Sequence, residues 1–430
     1  MTRARQWPLG AGIFLGVLAL LAVVVARLIP PDEELARRAS GELEAALGVP
    51  VSIGALHWRL LPSPSVVIED AATGQPQPIE VKRLTAWLDM SALWQRRLKV
   101  ERAQVAGAVL PQLSLRGLGG QPAASGQQAK PFTLDGLPLA RIEFRDVTWV
   151  SRRGTRLVYD GEADFDAGWR PRTAALRRPG VSPPAQLTLT RQGRDDRWEV
   201  HSTVGGGTAH GEMQLHTNAD GALRLAGKLQ PRDIDIVSAL QAFNRRSMVS
   251  GKVSGETTLS ASGSHLGEIA RSLHTATRFN AGPATLLRFD VDKAIRSLGR
   301  EHAGSTPLDA ISGQVDTQNT PQGTVVSYTG LQARSGALSA TGQARVANRQ
   351  VDAELAVDLV DGIVGVPLRL SGPVDKVRVA VPPSALAGAA VGTALLPGVG
   401  TAIGARIGSA IGRLLGSEPE GQRRLAPVEK

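Results

Sequence analysis

The feature that most constrains this chain is an alternation of apolar and polar residues at every second position, running in segments from Val51 to Val381. In Val351–Val360, VDAELAVDLV, the residues Val351, Ala353, Leu355, Val357 and Leu359 share one side of an extended chain, while Asp352, Glu354 and Asp358 take the other. Ala222–Leu229, Ala185–Thr190 and Val377–Val381 repeat the pattern. Successive side chains of a strand point to opposite faces, so each segment carries one apolar face and one wet face. Turn signals at Asn218–Gly221, Pro321–Gly323, Gly330 and Ser335-Gly336 separate such segments. The expected fold class is therefore mainly β, with short helices near Asp233–Phe243, Leu266–Thr275 and Asp290–Leu298. The looser stretch Gly168–Pro184 reads as an excursion from the sheet.

Alternation leaves two architectures open. A sandwich hides its apolar faces against a second sheet. A long, curled sheet leaves an apolar channel along its inside. Hydrophobic residues at 42% allow substantial burial, but aromatics at 4% are few for a compact enzyme core. The absence of cysteine removes thiol catalysis, Cys-ligated zinc and disulfides. A net charge of +10 fits solvated strand faces decorated with arginine, or a surface near anionic lipid headgroups; no nucleic-acid partner is expected.

Two hydrophobic segments stand apart from the strands. Trp7 to Ala26 carries no charge, follows Arg3 and Arg5, and is closed by Arg27, Pro30, Pro31 and the acidic Asp32, Glu33 and Glu34. About 20 apolar residues cross a hydrocarbon core, and the flanking arginines keep the N-terminus cytoplasmic. The rival reading is a cleaved signal peptide with Val24 and Ala26 before the cut, against which stands an apolar core longer than a signal's roughly 7–15 residues. The second segment, Ala385–Gly416, places Gly388, Gly392, Gly400, Gly404, Gly408, Gly412 and Gly416 four residues apart, with Leu396 out of step. Every fourth residue lies on one helix face, so this is a glycine seam for close packing, broken at Pro397-Gly398. It reads either as a membrane tip or as a helix pair plugging the end of the sheet.

The divisions expected are 1–30 (cytoplasmic tip and anchor), 31–116 (helix plus β unit), 117–130 (flexible linker), 131–384 (the long β region), 385–416 (glycine-seamed helical hairpin) and 417–430 (tail). The helix after Pro31 sets Leu35, Ala39, Leu43 and Leu47 on one face, and Gly48 ends it.

Leu47–Leu115 resembles the N-terminal region of the AsmA family. Gly48, Val51, Ile53, Gly54, Leu56 and Trp58 match its first strand, and Pro62, Pro64, Ile68 and Asp70 its second. Leu84 to Leu93 and Leu98 to Gly107 complete the order. Asp89-Met90 departs from the apolar pair common there, and Gly48 lacks a preceding Thr. FNAGPATLLRFDVDKAIRSLG, the strand-rich run from Thr306 to Leu359 and VPLRLSGPVDKVRV are similar to the family's closing region, so the resemblance covers about half the chain. It implies an elongated, taco-like β-groove rising from the inner membrane, with an apolar channel for the acyl chains of a phospholipid or other envelope lipid. About 25 strands at about 4.8 Å would give a trough on the order of 120 Å. The groove candidates are Leu84, Ala86, Leu88, Leu223, Leu225, Val351, Leu355, Val357 and Leu359; the tip candidates are the glycines of Ala385–Gly416. The partners implied are the inner membrane and either the outer membrane or another envelope protein.

Catalytic constellations are weak. Of the seven histidines, His210 and His216 would share a face of one strand, but no third ligand has metal spacing. Gly205–Gly207 lacks the Lys-Ser/Thr of a phosphate loop, and Ser264 reads as a helix cap. Asp233, Asp235, Asp290 and Asp292 read as residues of helix starts. The expected function is non-enzymatic and without cofactor: lipid transport or homeostasis between the two membranes. The alternative is a scaffold or assembly factor for outer-membrane proteins that uses exposed sheet edges.

Overall fold

The computed structural model describes residues 32–380, apart from 60–62, 96, 119–132, 167–169, 194, 220, 265, 298–299, 321–322, 337, 360–364 and 375. The fold is mainly β: 21 strands belong to one hydrogen-bonded sheet, with a few short helices. Among the described residues no helix is long and apolar enough to cross a membrane. The anchor candidate Trp7–Ala26 and the glycine segment Ala385–Gly416 lie outside the described residues.

The chain divides into two units, the first Met1–Arg246 with Thr258–Leu273, the second Ser247–Thr257 with His274–Lys430. The first unit opens with α1 (Asp32–Leu47), whose acidic first turn complements the positive end of the helix. Gly48, at φ 71°, closes α1 by donating its N–H to the Glu44 carbonyl at 2.8 Å. Then follow β1 (Val51–Arg59), β2 (Ser65–Thr73), β3 (Glu80–Leu88), α2 (Met90–Trp94), β4 (Arg97–Pro111) and β5 (Thr133–Val150). Next come β6 (Arg156–Phe165), β7 (Pro171–Arg178), β8 (Ala185–Arg191), β9 (Arg197–Val204), β10 (Gly207–Thr217) and β11 (Leu223–Arg232). The short β12 (Ile234–Asp235), α3 (Ile236–Gln241), the end of β13 (Val249–Gly263) and α4 (Leu266–Ser272) complete it. The second unit takes the start of β13, then β14 (His274–Leu287), α5 (Val291–Arg296), β15 (Ser305–Leu308), β16 (Ala310–Thr320) and β17 (Gly323–Ser335). It ends with β18 (Leu338–Ala347), β19 (Gln350–Leu359), β20 (Gly365–Pro373) and β21 (Arg378–Ala380).

From β1 to β11 each strand pairs with the next, antiparallel except for β4 and β5, which run parallel. A parallel pair needs a crossover of a dozen or more residues. The glycine-rich stretch 117–130, expected as a linker between two units, lies in that crossover, and both strands belong to the first unit. The excursion expected over Gly168–Pro184 is corrected in part: Pro171–Arg178 is β7, hydrogen-bonded between β6 and β8. Its arginines obscured the alternation that turns Ala174 and Leu176 to the apolar side.

Left-handed residues sit inside several strands: Asp70 (φ 52°) in β2, Gly107 (φ 66°) in β4, Asp146 (φ 52°) in β5 and Gly330 (φ 58°) in β17. The registers shift beside the last two, between Phe144 and Val147 and between Tyr328 and Leu331. These are bulges, which bend a strand and sharpen its twist. Gly330, expected as a turn, is therefore a bulge within β17. The Asp146 amide donates to the Asp160 carboxylate of β6 at 2.8 Å. At Gly107, φ 66° favours glycine, and an added Cβ would meet Lys82 Cδ at 2.7 Å and push that side chain aside.

Helix starts are built as expected in part. Asp235 caps α3 by accepting from the Ser238 amide at 2.8 Å, and Asp290 accepts from the Lys293 amide at 2.9 Å. Asp233 instead holds a left-handed turn at φ 51°. Ser264 donates its hydroxyl to the Glu268 carboxylate at 2.8 Å. Asp89, the departure from the family pattern, caps α2: Oδ1 accepts from the Ser91 amide at 2.9 Å, and Oδ2 from Lys99 Nζ at 2.8 Å. Lys99 and Ser91 hold this carboxyl well below the usual carboxylate range. A carboxyl lowered by folding stabilises the fold above its unfolded pKa, near 4, and the gain is lost as pH falls toward the folded value. Asp89→Asn keeps a capping oxygen but loses the ion pair with Lys99, and is accordingly expected to cost about 0.5–1 kcal/mol at neutral pH. The gap between variant and parent should close as denaturation is repeated below pH 4; a constant gap would contradict the ion-pair account.

Candidate functional site

Cross-strand partners in register share a face, so the registers show how apolar positions line up across strands. In the first unit one row runs Leu56, Ile68, Leu84, Val105, Phe144, Gly161, Leu176, Leu187, Ser202, Ala209, Pro231 from β1 to β11. The adjacent row runs Trp58, Val66, Ala86, Ala103, Ile142, Ala163, Ala174, Leu189, Val200, Gly211, Leu229. Ser202 is the one polar side chain in either. The row between them, on the opposite face, reads His57, Val67, Thr85, Gln104, Glu143, Glu162, Ala175, Thr188, His201, His210, Gln230.

At the β1 end the apolar side is covered by α1. Ala39 and Leu43 of α1 form a core with Leu56, Val66, Ile68, Ala86, Leu88, Val100, Ala103 and Leu139, with Leu84 packed against it. Of the groove candidates, Ala86 and Leu88 are thus buried beneath α1. From β6 onward Ala163, Ala174, Leu176, Leu187, Leu189 and Leu229 are half-buried, as are the candidates Leu223 and Leu225 on β11, while Val200 and Ala209 of the same rows are buried.

The second unit repeats the arrangement. Its rows read Thr277, Val315, Tyr328, Ala344, Ala353, Leu370, Val379 and Ala281, Ile311, Ala333, Ala340, Val357. Val351 and Leu355 stand on the same face and are half-buried, Val357 is buried, and the side chain of Leu359 lies outside the described residues. Leu355 reaches over Gly342, where an added Cβ would meet Leu355 Cδ2 at 2.7 Å. The opposite face carries Asp316, Arg345, Asp352, Glu354 and Arg369.

Charge gathers at the margins of the apolar face in the first unit. Arg191, at the end of β8, has a side chain only 9% exposed and contacts Asp166 and, at 2.8 Å, Asp196, which also pairs with Arg170. Trp198 beside it donates its indole N–H to the Pro171 carbonyl at 2.7 Å. At the other margin Arg178 donates to the Val158 and Ala242 carbonyls at 2.8 and 2.9 Å and lies 5.3 Å from the Tyr159 ring. Tyr159 and Tyr328 are the two tyrosines of the chain, and both face the apolar side. Burial raises both phenols above their ordinary value, with Arg178 pulling Tyr159 back in part. In an ultraviolet titration little tyrosinate is expected at pH 10, where a solvated phenol is about half ionised. Half-ionisation at that pH would place both rings in water.

Sequence reading missed the alignment of these rows, because register depends on pairing, and it missed the Arg191 cluster, whose members come from separate loops and strands. His210 and His216 lie on one strand, β10, as the extended reading has it, and it is His201 of β9 that brings an imidazole against His210. Comparison with protein-family models, with curated proteins and with solved structures finds no match.

Proposed function

We propose that this protein holds the acyl chains of envelope lipids against the apolar face of its sheet and supports lipid transport or homeostasis between the inner and outer membranes. The observation that carries this reading is the pair of apolar rows in register from β1 to β11, in which Ala163, Ala174, Leu176, Leu187, Leu189 and Leu229 are half-buried while Val200 and Ala209 are buried. Ten inter-strand steps of about 4.8 Å make such a row about 48 Å long. Tails of one leaflet span about 15 Å, half of a hydrocarbon core. Each methylene held out of water is worth about 0.8 kcal/mol, so a tail of about 15 carbons gains on the order of 12 kcal/mol by lying there. Phe144 closes over Gly161, where an added Cβ would meet its Cζ at 2.5 Å, so the face is lined by apolar side chains, while Glu143 and Glu162 of the outer row keep the other side wet.

On this reading the uncharged segment Trp7–Ala26 anchors the protein in the inner membrane with its bulk in the periplasm, and the seam Ala385–Gly416 approaches a second membrane. The function needs no catalytic group or cofactor. Full-length protein, purified in a detergent that is then exchanged away, should carry phospholipid detectable by mass spectrometry after organic extraction. Protein that emerges lipid-free from lipid-replete membranes would remove the reading and favour a scaffold acting through its edge strands.

A further inference from the structure

His201 of β9 and His210 of β10 are directly opposed partners on the polar face of the first unit. Their Nδ1 atoms are 3.0 Å apart, with ring centroids at 4.3 Å and planes tilted by 53°. A neutral pair holds that distance with one nitrogen donating a proton to the other. The same two lone pairs converge on one point, which is what a metal ion requires. Imidazole nitrogens about 2.05 Å from a shared metal stand about 2.9 Å apart at a right angle and about 3.4 Å apart at a tetrahedral angle. The observed spacing matches the right angle, the geometry preferred by Cu(II) and Ni(II) with nitrogen and oxygen ligands.

The surroundings supply a carboxylate. Two residues along each strand on the same face, Glu199 stands directly opposite Glu212, and like charges so placed destabilise a strand pair. Glu212 faces Lys228 on its other side, whereas Glu199 faces Thr190. Glu199 is therefore the carboxylate less engaged by a neighbouring cation. It lies about 6.8 Å along the strand from His201, within reach of a long side chain. Among the described residues no three metal-ligating side chains already converge. The preformed part is the two imidazoles alone, with Glu199 joining by rotamer change and water filling the remaining positions.

We infer that His201 and His210 form a two-imidazole site for a divalent metal ion of right-angled preference, Cu(II) foremost, completed by Glu199. The site lies on the face away from the apolar rows and stands independently of lipid binding. Binding displaces the proton shared between the rings, which is taken up at the Nε2 of the donor ring, so that both rings ligate as neutral imidazoles through Nδ1.

The test is titration of the full-length protein in detergent with Cu(II) alone, followed by calorimetry and electron paramagnetic resonance. One equivalent is expected, with hyperfine coupling from two imidazole nitrogens. His210→Ala and His201→Ala should each weaken binding by about 100-fold or more, since a lost ligand costs at least as much as a lost outer-shell partner. Glu199→Gln should weaken it by about 10-fold and keep both nitrogens in the spectrum. Circular dichroism verifies that each variant keeps its β content. Absence of a stoichiometric site, affinity indifferent to both histidine variants, or a spectrum with fewer than two nitrogens would overturn the site. Unchanged affinity in Glu199→Gln would overturn the carboxylate's part.

Discussion

Leu355→Arg is expected to strip bound lipid from the protein by about tenfold or more while leaving the sheet folded. The side chain lies half-buried over Gly342 of β18 and opposite Leu368 of β20, in the middle of the apolar face of the second unit. Placing a guanidinium among acyl chains is costly, since a charge removed from water without a partner shifts the balance by several kcal/mol. The protein itself is spared that cost. Ala353, Val357 and Leu368 around it are buried, but Leu355 itself is half-buried, so the arginine stem can lie along the face and carry its head to water. Gln343→Arg, on the opposite face beside Glu354, is the control and should leave bound lipid unchanged. Lipid content equal in the two variants, measured by extraction and mass spectrometry, would mean that the apolar face has been assigned the wrong occupant.

Leu43→Ala should show the reverse pattern, a large loss of stability. Leu43 is 5% exposed and closes the core that α1 makes with β1 to β5. Truncating a buried leucine costs about 2–5 kcal/mol, because the lost transfer energy adds to that of the cavity left behind. For a unit of this size that corresponds to a fall in Tm of roughly 5–15 °C. Calorimetry should find that fall in the first unit's transition, with Leu355→Arg shifting Tm far less. Leu43 belongs to the helix packed on the apolar face of the first unit, whereas Leu355 is a half-buried strand residue of the second. On the proposed function, Leu43 is the structural residue and Leu355 the one that meets lipid. A Leu43→Ala protein with unchanged Tm would show that α1 rests loosely and does not seal the face.

How much of this was legible beforehand can be followed residue by residue. Alternation in Val351–Val360 gave β19 and its apolar side, since a period of two requires only the residues themselves. Gly48, Asp70 and Gly107, noted as motif positions, prove to be left-handed residues, two of them inside strands. Sequence could mark them but not give their backbone conformation, and it could not place the bulges at Asp146 and Gly330, because a bulge is defined by its partner strand. Gly330 was misread for that reason. Burial of Ala86 and Leu88 under α1 was likewise beyond alternation, which tells which side is apolar and nothing of what covers it. The rows from β1 to β11 are long-range in the same sense: each residue is ordinary alone, and its meaning comes from ten pairings with other strands. Asp89 looked like a departure from the family pattern and is instead a helix cap with its own lysine.

The measurement that bears most directly on the central claim is site-specific photo-crosslinking in intact cells with a benzophenone side chain at four positions. Leu189 and Leu355 lie on the apolar face; Thr188 and Gln343 lie on the polar face of the same strands or their neighbours. Lipid adducts at Leu189 and Leu355, and none at Thr188 and Gln343, are the predicted result. Adducts to protein at the two leucines, or lipid labelling equal on both faces, would contradict it.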